Sequence, residues 1–162
     1  MIVESCIILL DFFVNVFQFR RMHKNIYIAG PLFISHEIKY LEAIAKEEED
    51  NGYTCFLPHR DQSGIDESEL ETTEMGKKTK AKIFDNDLKA LQSSDLTIAL
   101  ITGWDIDSGT AGEIGYTFAS SKPVIGIDAN ERRYRNLFIE GMISKTVNNV
   151  KELIPAINEL NL

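Results

Sequence analysis

Short apolar segments alternate with segments of helical length along most of this chain, and this alternation restricts the fold more than any other feature. Leu96–Ile101 is apolar except for Thr97 and rich in branched side chains, which is typical of a strand buried on both faces. The other predicted strands are Asn25–Ala29, Tyr53–Leu57, Val124–Ile127 and a short one at Thr146–Val147. We therefore expect an α/β three-layer sandwich with a parallel, flavodoxin-like or Rossmann-like sheet of about five strands.

Helical periodicity fills the intervals between these strands. From Ser35 to about Asn51, apolar residues recur on one helical face, and Gly52 then stands where helices commonly end in a left-handed residue. The other predicted helices are Lys77–Ser93, Thr110 to about Ser120, and Asn149–Leu160. In parallel sheets of this kind, ligands bind in the crevice outside the carboxyl ends of the strands.

Length and composition favour one domain that handles small molecules. The 162 residues, 44% of them hydrophobic, suffice for a single sizeable core. Asp and Glu number 25 against 17 Lys and Arg, and the resulting net charge of −8 repels phosphate polymers, so we expect no nucleic-acid partner. Cys6 and Cys55 are the only cysteines and lie far apart, which fits a reducing cytoplasm.

Residues 1–21 differ from the rest of the chain. They are strongly apolar, but Glu4 and Asp11 interrupt the apolar run, and Arg20 and Arg21 follow it rather than precede it. This pattern disfavours both a signal peptide and a membrane anchor, because a spanning helix needs about 20 largely uncharged residues. We expect residues 1–21 to be an appended N-terminal extension and residues 22–162 to form the domain.

The segment Asp105–Gly115 joins the central strand to the following helix. Its small residues, including Gly109, allow the backbone to approach a ligand, and Thr110 or Ser108 is expected to cap the helix. No G-x-G-x-x-G motif follows the first strand, and the chain has no P-loop lysine pattern. Dinucleotide binding and nucleoside triphosphate hydrolysis are therefore disfavoured.

Two carboxylates flank the start of that helix. Asp107 and Glu113 are spaced so that both could point into one crevice beyond the carboxyl end of the central strand. An acidic first turn is also favoured by the helix dipole alone. The pair therefore indicates either a catalytic site or an ordinary helix start.

Six motifs follow one another in a fixed order along the domain. They are IYIAGPLF (Ile26–Phe33), DNDL (Asp85–Leu88), SDLTIAL (Ser94–Leu100), DSGTAGEIG (Asp107–Gly115), KPV (Lys122–Val124) and NLFIEG (Asn136–Gly141). Together they resemble the nucleoside 2-deoxyribosyltransferase family across residues 22–162. Residues 1–21 lie outside the resemblance.

The resemblance implies an enzyme that cleaves the N-glycosidic bond of a 2′-deoxyribonucleoside and passes the deoxyribosyl group to another base. By motif, Glu113 matches the nucleophile of the family. Asp107 and Asp87 match its pocket aspartates, and Tyr27 matches the tyrosine that holds the nucleophile.

Substrate-binding residues and partners also follow from the resemblance. The expected substrate-binding residues are Gly30, Phe33, Gln62, Gly109 and Asn136. Asn136 matches an asparagine that reaches the 5′-hydroxyl group in the site of a neighbouring subunit, so a homo-oligomer with shared sites is implied. The expected partners are a deoxynucleoside donor and a free nucleobase acceptor.

The residue types suit this chemistry. Glycosidic cleavage develops positive charge at C1′, which a carboxylate such as Glu113 can trap covalently, and a second displacement then restores the original configuration. The departing base needs a proton from an acid with a raised pKa, a role open to both Asp87 and Asp107. A hydrogen bond from Tyr27 would orient Glu113. Neither a metal nor a cofactor is required.

Structural roles and two other functions remain open for the same residues. Tyr27 in a strand is commonly a core residue, and Asp87 suits a solvated helical face. One alternative function is N-glycosidic hydrolysis of deoxynucleoside 5′-monophosphates, with Arg132, Arg133 or Arg135 near the phosphate. The other is a non-catalytic nucleotide-binding protein, although such a protein would not need the Glu113 carboxylate.

Overall fold

The computed structural model describes residues 24–65, 76–102, 106–128 and 136–160. Within these residues the strands form one sheet in the order β2-β1-β3-β4-β5, and every neighbouring pair is parallel. The strands are β1 (Asn25–Ala29), β2 (Thr54–Phe56), β3 (Leu96–Ile101), β4 (Val124–Asp128) and β5 (Lys145–Val147). The predicted α/β fold with a five-stranded parallel sheet is confirmed, and the strand order is the flavodoxin-like one.

Helices occupy the predicted intervals between the strands, and one further short helix, Leu137–Glu140, was not predicted. They are α1 (Ser35–Asp50), α2 (Lys77–Ser93), α3 (Ser108–Ala119), α4 (Leu137–Glu140) and α5 (Leu153–Glu159). Gly52 has φ of 88°, as expected for the left-handed residue that follows α1. The helix predicted from Asn149 begins instead as a 3₁₀ turn at Val150–Glu152, in which the Glu152 N–H donates to the Asn149 carbonyl three residues back, at 3.2 Å.

Strand β2 is shorter than the predicted Tyr53–Leu57, because the backbone groups of Tyr53 and Leu57 form hydrogen bonds outside the sheet. The Tyr53 N–H donates to the carbonyl of Glu48, in the turn that closes α1. Leu57 donates its N–H to the Asp61 carboxylate at 2.8 Å, and its carbonyl accepts from Arg60 and Asp61. These bonds begin the loop that carries Gln62.

The alternation of side chains along the strands produces two different sheet faces. Ile26 and Ile28 of β1 pack on the face covered by α1 and α5, whereas Tyr27 and Ala29 pack on the face covered by α2 and α3. We call these the α1/α5 face and the α2/α3 face. The helices on both sides complete three layers.

Several predictions fall on residues outside the described ranges. They include the N-terminal extension at residues 1–21 and the arginines before Asn136. In the part of the chain that is described, every helix is too short or too polar to cross a membrane.

Candidate active site

A buried tyrosine and a carboxylate form the centre of the site. Tyr27 lies on the α2/α3 face of β1 with no exposed surface, and its hydroxyl group donates to Glu113 Oε1 at 2.5 Å. Phe56 of β2 stacks against the Tyr27 ring, with the ring centroids 5.6 Å apart. The sheet therefore holds the Tyr27 hydroxyl group in place, and the hydrogen bond from Tyr27 holds the Glu113 carboxylate of α3.

The surroundings of Glu113 oppose its ionisation. Burial is the main reason that the pKa of Glu113 rises from 4.5 to about 7. The nearby charges of Asp87 and Asp107 contribute to this rise, and the hydrogen bond from Tyr27 opposes it. Burial and the Glu113 charge also raise the pKa of Tyr27 above its ordinary value, so the phenol remains a proton donor. Glu113 is consequently near its midpoint of ionisation at neutral pH.

Asp87 brings helix α2 and the loop after β2 to the same place. Its Oδ1 accepts a hydrogen bond from Gln62 Nε2 at 2.7 Å. Burial raises the pKa of Asp87, and the bond from Gln62 partly offsets that effect. Because the charge of Asp87 also acts on Glu113, the structure brings Tyr27, Glu113, Asp87 and Gln62 into one cluster.

Asp107 caps helix α3, and the prediction that Ser108 or Thr110 would do so is wrong. Asp107 Oδ2 accepts from the Thr110 N–H at 2.9 Å and from the Thr110 hydroxyl group at 3.0 Å. Since a carboxylate accepts both bonds, the helix begins at Ser108, two residues before the predicted start. The same cap holds the Asp107 charge near Glu113.

Two of the predicted substrate-binding residues are glycines with close neighbours. A Cβ atom at Gly30 would lie 2.5 Å from Leu41 Cδ2, so packing against α1 requires glycine at the end of β1. A Cβ atom at Gly109 would lie 3.2 Å from Asp107 Oδ2. A side chain at either position would be crowded by these neighbours. At Gly30, packing by itself accounts for the glycine.

The other two predicted substrate-binding residues lie at the surface. Phe33, in the segment after β1, is 76% exposed. Asn136 caps α4, with its Oδ1 accepting from the N–H groups of Phe138 at 3.1 Å and Ile139 at 3.3 Å. The Asn136 oxygen therefore caps its own helix, and these hydrogen bonds do not connect Asn136 to the Glu113 cluster.

The described residues contain no group of three His, Cys, Asp or Glu side chains that could hold a metal ion. The acidic cluster is instead organised by hydrogen-bond donors from Tyr27, Gln62 and Thr110. A cluster of this kind can supply a carboxylate nucleophile and a second acid.

Comparison with known proteins places the chain in a family. The sequence model of the family described as nucleoside 2-deoxyribosyltransferase matches residues 26–154, which include the whole cluster. The chain belongs to the nucleoside 2-deoxyribosyltransferase family. The resemblance inferred from the six motifs is thereby confirmed.

Two solved structures share the fold of this family member. A 2-deoxyribosyltransferase from Bacillus psychrosaccharolyticus is 25% identical with a TM-score of 0.68, and the match covers 80% of this chain and 89% of that one. A conserved protein from Enterococcus faecalis V583 is 27% identical with a TM-score of 0.63, and the match covers 84% and 98% of the two chains.

A curated relative is also similar in sequence. An uncharacterised protein of Schizosaccharomyces pombe is 30% identical over 114 residues, which are 67% of this chain. The match spans only 52% of the length of that relative.

Phe56 and Asn86 were missed by the sequence analysis, and Thr110 was predicted as a cap rather than as the partner of Asp107. Phe56 supports the Tyr27 ring, Thr110 holds Asp107, and Asn86 donates to Gln62 Oε1 at 3.1 Å. Asn86 stands inside the motif that supplies Asp87, and that position was the available signal. The partners of Phe56 and Asn86 lie far away in the sequence, so no local pattern indicates those contacts.

Proposed function

We propose that this protein transfers the 2-deoxyribosyl group of a deoxynucleoside to another nucleobase, through a covalent intermediate on Glu113. The observation that carries the proposal is the buried Glu113 carboxylate held at 2.5 Å by Tyr27. A carboxylate that is fixed by one donor and only half ionised at neutral pH is a poised nucleophile rather than a solvated helical side chain.

The transfer takes two displacements at one carbon. The ionised Glu113 attacks C1′ while the bond to the first base breaks, and an acid protonates the ring nitrogen of that departing base. The second base then attacks C1′, the bond to Glu113 breaks, and the proton of the incoming base returns to the acid. Two inversions give retention of the anomeric configuration.

Asp87 is the better candidate for the acid. Burial raises its pKa, so it holds a proton more readily than an exposed aspartate. Asp107 Oδ2 already accepts two hydrogen bonds from Thr110, so that oxygen is committed to the cap of α3. We assign Asp107 to electrostatic support of the site.

The proposal includes a cytoplasmic homo-oligomer in which a neighbouring subunit completes each site. Its support is the apolar surface beside Asn136, where Leu137 is 81% exposed and Phe138 is 76% exposed. Exposed apolar residues of this size commonly mark a contact with another chain. Asn136 would then act at the site of the neighbour, with Gly30, Phe33 and Gly109 lining the substrate pocket.

The direct test is to follow every base and nucleoside by chromatography. Purified protein is incubated with deoxyinosine, with deoxyinosine and adenine, and in parallel with deoxynucleoside 5′-monophosphates. We expect deoxyadenosine only when adenine is supplied. Free base from the monophosphates without exchange would assign hydrolysis instead, and no reaction with a panel of bases would contradict both catalytic functions.

Shared sites can be tested by mixing two inactive variants. Glu113→Ala lacks the nucleophile, and Asn136→Ala lacks the residue that we assign to the neighbouring site. If subunits share sites, mixed oligomers regain part of the exchange activity. Failure to regain activity after confirmed subunit exchange would show that each chain uses its own Asn136.

A further inference from the structure

Helix α2 holds the loop after β2 through three neighbouring side chains. We call Gln62–Gly64 the Gln62 loop. Lys82 Nζ donates to the carbonyl of Gly64, and Asn86 Nδ2 donates to the carbonyl of Ser63 at 3.2 Å. Asp87 accepts from Gln62. Lys82 and Asn86 are four residues apart on one helical face, so both reach the same loop.

Asn86 makes a second bond, which fixes the orientation of the Gln62 amide independently of the protonation state of Asp87. The two ends of a glutamine amide have nearly the same shape, so their orientation depends on the chemistry of their partners. A backbone carbonyl only accepts, and Ser63 therefore forces the NH₂ group of Asn86 toward the loop. The same NH₂ group also donates to the Gln62 side chain at 3.1 Å, and the only acceptor in that amide is Oε1. The NH₂ group of Gln62 must then face Asp87.

We propose that Asn86 is a positioning residue that sets the donor and acceptor pattern which Gln62 presents to a nucleobase. One N–H of Gln62 is committed to Asp87 and one lone pair of Oε1 to Asn86, which leaves one N–H and one lone pair for the base. This inference rests on the proposed function, because it assumes that a base occupies the space beside Gln62 and Asp87.

Loss of Asn86 leaves Asp87 as the only side chain of the pair that orients the amide. Asp87 fixes the amide only while it is ionised, because the protonated acid of the proposed reaction can also donate to Oε1. The Gln62 amide can then rotate, and part of the population presents an acceptor where the base requires a donor. Binding of the base weakens, while the displacement at C1′, which Glu113 performs, keeps its rate once the base is bound. The expected signature is therefore a change in KM for the acceptor base without a matching change in kcat.

The kinetic test compares Asn86→Ala, Gln62→Ala, the double variant and Lys82→Met. Asn86→Ala should raise KM for the acceptor base about 3- to 10-fold, the range for one hydrogen bond, with kcat within about 2-fold. The double variant should be no worse than Gln62→Ala, because Asn86 acts through Gln62. Lys82→Met removes a loop contact but not the amide constraint, so its KM should stay within about 2-fold.

Two kinetic results would overturn the inference. The first is an unchanged KM in Asn86→Ala, and the second is an equal rise in KM in Lys82→Met, which would reduce Asn86 to a loop anchor. Absence of base exchange in the unmodified protein would instead contradict the proposed function. A measurement that needs no turnover then decides the role of Asn86.

That measurement is the nitrogen-15 NMR spectrum of the full chain. The Gln62 side-chain amide pair is identified as the one lost in Gln62→Ala. We expect one of its protons downfield of the corresponding Gln92 pair, because it is bonded to Asp87. Asn86→Ala should reduce this shift, because the rotating amide then populates the bond to Asp87 only in part, and Lys82→Met should keep it. A Gln62 pair unaltered in Asn86→Ala would overturn the inference whatever the reaction is.

Discussion

The two faces of the sheet use the same strands for different purposes. On the α1/α5 face, β1 and β3 contribute Ile26 and Ile98, which belong to a continuous aliphatic core. On the α2/α3 face, the adjacent residues of these strands are Tyr27, bonded to Glu113, and Thr97, whose hydroxyl group lies 2.7 Å from that of Thr117. A shift of one residue along each strand separates an aliphatic core from a face where polar side chains are buried among apolar ones.

This difference shows how the fold separates stability from chemistry. The α1/α5 face gains free energy of unfolding from buried aliphatic surface. The α2/α3 face bears a cost, because folding moves the pKa of Glu113 from 4.5 to about 7. A shift of that size corresponds to about 3 kcal/mol of lost stability when the carboxyl is ionised. The aliphatic surface that is buried on the α1/α5 face offsets this loss of stability.

The largest expected effect is that of Glu113→Gln. Exchange activity should fall by at least about 10³-fold, because the amide cannot act as a nucleophile. Stability should respond in the opposite direction. Below pH 4.5 the native carboxyl is protonated in both the folded and unfolded states, whereas above pH 7 only the ionised form remains and folding must bury its charge.

Thermal and denaturant unfolding at several pH values test this sign. Glu113→Gln should exceed the native protein in free energy of unfolding by up to about 3 kcal/mol at pH 8, and the gain should shrink as the pH falls through 7 toward 4.5. A variant that is less stable than the native protein at pH 8 would contradict the cost that we assign to Glu113.

The matching change on the other face is Ile98→Ala. Ile98 is fully buried in the α1/α5 core, so its truncation should cost about 2–5 kcal/mol of stability. The kcat of the folded protein should stay within about 2-fold, measured well below the unfolding temperature. Ile98→Val is the control and should cost about 0.5–1.5 kcal/mol. A large loss of kcat in Ile98→Val would break the separation between the faces.

Tyr27→Phe isolates one bond at the junction of the sheet and the site. The hydrogen bond from Tyr27 lowers the pKa of Glu113, so its loss should raise that pKa. The rising limb of the pH profile of kcat/KM, which follows ionisation of Glu113 near pH 7, should therefore move to higher pH. We expect about a 10-fold loss at pH 7. A lower rate at every pH with an unmoved limb would show that Tyr27 does not tune Glu113.

The smallest expected change in stability is that of Asp107→Asn. Asparagine caps helices about as well as aspartate, so the free energy of unfolding should change by no more than about 0.5 kcal/mol. Loss of the charge beside Glu113 should nevertheless reduce exchange activity, by about 10-fold. Full activity in Asp107→Asn would show that Asp107 only caps α3 and does not support the reaction.

The sequence predicts the sheet well because hydrophobic patterning determines it. Leu96–Ile101 and Lys77–Ser93 have the predicted bounds, since one is a buried apolar run and the other ends where its periodicity ends. The ends of β2 were not predictable, because Glu48 and Asp61 take the hydrogen bonds of Tyr53 and Leu57. Such contacts depend on how neighbouring turns meet in space.

The site was predictable only in part, for the same physical reason. The resemblance predicted the hydrogen bond between Tyr27 and Glu113, which the structure contains, but no local pattern indicates a contact between residues 86 positions apart. Asp107 was predicted as an acid of the pocket and not as a cap, because serine and threonine nearby are equally good caps. The bond from Asn86 to Gln62 depends on the path of the Gln62 loop, which hydrophobic periodicity in the sequence does not predict.

The covalent role of Glu113 is the central claim, and trapping the intermediate tests it most directly. The protein is mixed with a deoxynucleoside in the absence of an acceptor base, quenched in acid, digested and analysed by mass spectrometry. The account predicts that the peptide with Glu113 gains the mass of one deoxyribosyl group, and that adding the acceptor base before the quench removes it. Turnover with no adduct, or an adduct on Asp87 or Asp107 instead, would contradict the account.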